Sequence, residues 1–193
     1  MIYTNPGGPI PANRRVAWYT RRMAIPRPPL ALALLALAAC AAPRPVVRPA
    51  AALGKTLELA AADLQGRQVD VGAERGKVRV VDFWATWCEP CRDAMPVLDA
   101  LSRELSARGL AVYGVSFDEE LAPLAPFLRE VRVGFPILWD RNGERLAARF
   151  DITRLPTTLV VDRRGVIRYV HEGWTDEKAR EQRREVEQLL GED

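Results

Sequence analysis

The chain has 193 residues, enough for one domain with or without a tail, and its 28 basic and 25 acidic side chains give a net charge of +3. That basicity is no nucleic-acid signal, because residues 1–39 hold five arginines and no acid, leaving 23 basic against 25 acidic residues beyond them. Three cysteines exclude a disulfide-stapled mini-protein, and a single histidine excludes any site built on two imidazoles.

From Leu30 to Ala42 the chain reads LALALLALAACAA. This run is too short for a hydrocarbon core that needs about 20 apolar residues, and it fits the h-region of a secretory signal. Arg21, Arg22 and Arg27 supply the positive n-region, so residues 1–39 read as a signal peptide. Met23 is an alternative start that makes 1–22 an upstream extension. The run ends in Leu37-Ala38-Ala39-Cys40, which resembles the lipobox of bacterial lipoproteins and makes Cys40 the expected lipid anchor. The other reading is an ordinary small-residue cleavage site. Residues 41–55 are Pro- and Ala-rich without periodicity, a semi-rigid tether that completes a 40–55 linker ahead of a domain at 56–193.

Within that domain, 57–59 and 67–71 around Gly66 suggest a small hairpin. Residues 77–84 and 110–117 are β-branched and aromatic with few breaks, as buried strands are. Between them, Met95, Leu98, Leu101 and Leu105 recur at three- and four-residue spacing and Gly109 supplies a stop, which predicts a crossover helix over 89–108 and parallel flanking strands. A second helix over 120–132, a short strand at 136–139 and a helical turn at 143–149 follow. Strands at 157–162 and 166–171 around Arg163-Arg164-Gly165 form an antiparallel hairpin, and 175–190 is a closing helix. The order implies an α/β domain with a mixed central sheet flanked by helices.

Trp87-Cys88-Glu89-Pro90-Cys91 falls at the junction of the first long strand and its helix. Cys88 at the helix start meets unpaired N–H groups and the positive end of the dipole, which favour its thiolate. Cys91 is one turn on, within disulfide reach. Pro90 costs no hydrogen bond there, since that N–H lacks an intrahelical partner. Cys88 is therefore the expected nucleophile and Cys91 the resolving thiol. A zinc site would need two further ligands, for which only Cys40 and His171 remain, so no metal is expected.

Residues 81–91, VDFWATWCEPC, resemble the active-site signature of thioredoxin-fold proteins, and specifically of the TlpA/ResA-like periplasmic thiol-disulfide oxidoreductases. The likeness extends over most of 57–193. Pro96 matches a helix-kinking proline, and 119–150 matches a central insertion between strand and hairpin. Leu155-Pro156-Thr157-Thr158 resembles the cis-proline loop, implying that Pro156 is cis and that the Leu155 backbone pairs with a substrate strand. The resemblance makes Asp82 the buried carboxylate that accepts the Cys91 proton, and Glu119 an acid near the cysteine pair. Trp84 becomes core, while Trp87, Glu89 and Pro90 become docking surface. An acid that some relatives carry three residues after the second cysteine is here Ala94. The implied function is a membrane-anchored protein-disulfide reductant without a dissociable cofactor. Its electrons would come from a membrane dithiol donor, and apocytochrome c is one candidate substrate. A disulfide oxidant or isomerase, a copper-handling protein using Cys88, Cys91 and His171, a thiol peroxidase and a non-catalytic docking lipoprotein are the competing readings.

Overall fold

The structure is a computed structural model that describes residues 52–192; the expected signal peptide, Cys40 and most of the tether lie outside the described residues. Strands β1 (Ala60–Ala62) and β2 (Gln68–Asp70) form a two-stranded antiparallel hairpin. Strand β3 (Val78–Trp84), helix α1 (Glu89–Leu105), a 3-10 turn (Ser106–Arg108) and β4 (Leu110–Ser116) make the expected βαβ unit with parallel strands. Helix α2 (Leu124–Val131), β5 (Ile137–Trp139), a 3-10 turn (Arg141–Gly143) and α3 (Leu146–Phe150) follow. The chain ends in β6 (Thr157–Val161), β7 (Ile167–Glu172) and α4 (Asp176–Leu190).

The main sheet has the order β5-β4-β3-β6-β7. β4 and β5 run parallel with β3, whereas β6 opposes β3 and β7 opposes β6, so the sheet is mixed and β3 lies at its centre. All seven residues of β3 are buried, as a strand covered on both faces requires. Successive side chains alternate between the faces. Val78, Val80 and Trp84 join Met95, Leu98 and Leu105 of α1 and Val186 and Leu189 of α4 on one face. Val81 and Phe83 join Leu57, Leu59, Leu146, Phe150 and Leu159 on the other. Asp82 shares the parity of Val80 and Trp84, which turns its carboxyl toward the face that carries α1.

Several boundaries differ from the sequence expectations. The first hairpin strand lies at 60–62 rather than 57–59. Leu57 and Leu59 alternate as a strand would, but Leu57 N–H donates to Gly165 C=O and both side chains fill the second core. Pro123 fixes the start of α2 at Leu124 rather than 120. The turn expected at 143–149 resolves into a 3-10 segment and α3, with Asp140 Oδ2 accepting from Leu146 N–H and Ala147 N–H. The packed chain also begins before residue 56: Ala52 is buried, Gly54 N–H donates to Ile167 C=O, and Ile167 N–H donates to Lys55 C=O.

Candidate active site

The turn between β3 and α1 presents the two cysteines. Cys88 caps α1 with an extended backbone, and its N–H donates to Ala85 C=O at 3.1 Å, closing a turn around Thr86 and Trp87. Pro90 sits in the first helical turn, where its missing N–H is no loss. Cys88 and Cys91 are joined by a disulfide with their Cα atoms 5.3 Å apart. Cys91 is wholly buried, whereas Cys88 keeps 6% exposure. The pair can therefore be approached from solvent only at Cys88.

A groove of about 730 Å³ opens at that point, lined by Trp87, Cys88, Pro90, Phe117, Ile152 and Leu155 among others. Trp87 is 70% exposed at its rim, and Glu89 and Pro90 are exposed beside it. Trp84, three residues earlier, is fully buried and stacks on Phe127 at 5.1 Å, with the Arg92 guanidinium over the far ring at 4.8 Å. The two tryptophans thus divide as expected between core and surface.

The loop before β6 forms another wall. The Leu155–Pro156 peptide is cis and Pro156 is buried. The β3–β6 ladder ends at Phe83 opposite Thr157, which leaves Leu155 beyond the last paired residue. Arg154 enters the same groove, a cation that sequence reading missed because no pattern ties it to the cysteines.

Asp82 lies opposite Thr158 in the ladder and accepts a hydrogen bond from Thr158 Oγ1 at 2.8 Å. Its second oxygen is buried without a partner. Burial disfavours the charged form and pushes its pKa from the ordinary 3.8 up to about 7, with the Thr158 hydrogen bond opposing in part. This is a carboxyl able to exchange a proton near neutral pH.

Glu119 is not a buried neighbour of the pair. Its side chain is 67% exposed and lies 3.5 Å from Arg141. The buried acid at the end of β4 is instead Asp118, only 2% exposed and bonded to Thr86 and Ser116. In sequence it is masked by the run Asp118-Glu119-Glu120, which reads as a solvated acidic face; the Ser116 two residues earlier is the only local hint. His171 is 2.6 Å from Glu185 and so is held by α4. Cys40 lies outside the described residues.

Comparison with known proteins agrees with this chemistry. Residues 53–170 match the AhpC/TSA family. The chain is 33% identical over 127 residues to the thioredoxin-like protein YneN of Bacillus subtilis, covering 64% of this chain and 73% of that one. It is 31% identical over 125 residues to the thiol-disulfide oxidoreductase ResA of Geobacillus thermodenitrificans, covering 64% and 71%. Against the shorter match to ResA of Bacillus thuringiensis, at 28% identity, it spans 60% of that protein. Among solved structures, the DsbE-like thiol:disulfide interchange protein of Chlorobium tepidum superposes with a TM-score of 0.67 at 26% identity, covering 71% of this chain and 96% of that one. A cysteine pair at a helix start, a cis-proline loop beside it and these relatives lead to one conclusion: the chain belongs to the AhpC/TSA family and is a thiol-disulfide oxidoreductase of the thioredoxin fold, similar to ResA and DsbE.

Proposed function

We propose that the protein reduces disulfides of other proteins at the periplasmic face of a bacterial membrane, tethered there by a lipid on Cys40. The observation that carries the direction of attack is the burial of Cys91 against the small exposure of Cys88 at the groove. In the reduced protein the Cys88 thiolate attacks one sulfur of the substrate disulfide, forming a mixed disulfide and releasing the other substrate sulfur as a thiolate. Cys91 then gives its proton to the Asp82 carboxylate, through water, and attacks the Cys88 sulfur. That step closes the Cys88–Cys91 disulfide and frees the second substrate thiolate, so the substrate gains two electrons and the protein loses two. The Leu155 backbone, ahead of Pro156, aligns the substrate chain as an added strand, while Trp87, Glu89 and Pro90 border its path. A membrane dithiol donor resets the pair by the reverse exchange, becoming a disulfide itself. By the resemblance of its VDFWATWCEPC motif to the TlpA/ResA-like oxidoreductases, apocytochrome c is a candidate substrate.

The local charges support a reductant. A strongly stabilised nucleophilic thiolate favours the reduced form and makes an oxidant. Here Glu89 follows Cys88 directly and Asp82 lies buried behind the site, and both oppose a second negative charge. Arg154 acts in the other sense from the opposite loop, but it is an exposed side chain screened by water. Equilibration with glutathione or dithiothreitol buffers, with the dithiol fraction read by alkylation and mass, should give a potential nearer the thioredoxin value of about −270 mV than the about −120 mV of a strong oxidant. A value above about −180 mV would replace this reading with an oxidant or isomerase.

A further inference from the structure

Asp118 has no part in the chemistry above, yet it is the most heavily bonded acid near the cysteine loop. Its carboxylate accepts from Thr86 N–H at 3.1 Å on Oδ2 and 3.3 Å on Oδ1, and from Thr86 Oγ1 at 2.5 Å on Oδ1. Thr86 is the first central residue of the turn that Cys88 closes onto Ala85. One carboxylate therefore receives both donors of the residue two places ahead of Cys88.

Asp118 is itself fixed without Thr86. Ser116 Oγ donates to Oδ2 at 2.8 Å and accepts from Asp118 N–H at 3.1 Å, which locks the side chain to the end of β4. Trp139 Nε1 of β5 donates to Asp118 C=O at 2.8 Å. The backbones are tied as well, with Phe117 N–H donating to Trp84 C=O at 2.8 Å. Asp118 is thus a post set in two strands, and the Ala85–Cys88 turn is the part being held. In the oxidised protein the disulfide also holds this turn. In the reduced protein that restraint is gone, and the Asp118 carboxylate is a side-chain grip left on the turn that leads into Cys88.

We infer that Asp118 is a positioning residue for Cys88: by gripping both donors of Thr86 it holds the reduced cysteine turn in the geometry that stabilises the attacking thiolate. The inference rests on Cys88 being the nucleophile. It differs from a purely structural pin in what it predicts, since loss of the grip should weaken the thiolate at Cys88 in the folded protein, beyond any loss of stability.

The test is alkylation of the reduced full-length protein with iodoacetamide across pH 5–10, with the modified cysteine identified by mass, for wild type, Thr86→Val, Thr86→Ser, Asp118→Asn and the Thr86→Val/Asp118→Asn double variant. Thr86→Val removes one donor and keeps the charge, Thr86→Ser keeps the donor, and Asp118→Asn removes the charge. The expected result is a profile displaced to higher pH and a rate at pH 7 lower by about fivefold in Thr86→Val and in Asp118→Asn, with no further loss in the double variant. Thr86→Ser should match wild type. Profiles that superimpose on wild type, with only the melting temperature lowered, would overturn the positioning role. So would a faster Cys88 in Asp118→Asn with Thr86→Val unchanged, because the carboxylate would then act through its charge. Preferential modification of Cys91 in the wild type would instead remove the nucleophile assignment on which the inference stands. Should the Asp118 variant fail to fold, the Thr86 pair decides the matter alone.

Discussion

Asp82 owes its proton affinity to burial, and burial makes it a liability for stability. Its folded pKa of about 7 stands above the ordinary 3.8. Between those values the folded state holds a proton that the unfolded chain gives up, so the contribution of Asp82 to stability is most favourable below about pH 4 and falls as pH rises to 7. Above that the loss is complete. Asp82→Asn keeps an acceptor for Thr158 and cannot ionise. It should be more stable than wild type at pH 8 by up to about 4 kcal/mol, a gap that closes toward pH 4. Urea unfolding at the two pH values checks this, and an equal gap at both would show that the carboxyl is not the titrating group.

Other residues show why part of the site escapes a reading of the chain. The cysteines, Pro90 and Trp87 stand in one short motif whose chemistry is local. Asp118 depends on where β4 ends relative to Thr86, 32 positions earlier. Arg79 lies in an apolar strand and is completely buried, which no periodicity suggests. It is made tolerable by carbonyls of Val71 and Asp162 at 3.0 and 2.8 Å, the second of them 83 positions away in the chain. Burial lowers its pKa, though it stays the cation its type demands.

At the scale of elements, strong patterns survived and weak ones moved. β3, α1 and β4 were legible because seven-residue apolar strands and a four-turn apolar stripe leave few alternatives. The ends of α2 and α3 were not, since proline and an Asp140 cap set them and neither follows hydrophobic period. β4 also carries a constraint invisible in its pattern. A Cβ on Gly114 would lie 2.8 Å from Ile137 Cδ1 and 2.9 Å from Trp84 Nε1. The strand approaches the buried indole that closely because it has no side chain there. Gly114→Ala should therefore destabilise the fold by roughly 1–3 kcal/mol, the usual cost of overpacking, measured as a lower urea midpoint at unchanged m. A midpoint equal to wild type would mean that Trp84 moves freely, contrary to its packing against Phe127.

At the scale of the whole molecule, the proposed lipid tether falls on Cys40, since Cys88 and Cys91 are joined to each other. Cys40→Ser should shift the protein from the membrane to the soluble periplasmic fraction, or leave it as an uncleaved precursor. Wild type found wholly in the soluble fraction would reject the lipid anchor. No helix among the described residues is long and apolar enough to cross a membrane.

The antiparallel pairing of β3 with β6 has a bearing on how the molecule comes into being. Cys88 and Cys91 belong to one βαβ unit, which closes over short loops. Pro156 and Thr158 reach them only through the β3–β6 ladder, and the Thr158–Asp82 hydrogen bond spans 76 residues of chain. Closing a loop of that span costs under about 1 kcal/mol more chain entropy than the 32-residue separation of the β3–β4 pairing, because the cost grows only with the logarithm of length. The thiols thus lie close together in the chain, whereas the loop facing them across the groove is supplied from the far half of the domain. A chain carrying the βαβ unit alone would hold both cysteines and lack the Leu155–Pro156 wall of the groove.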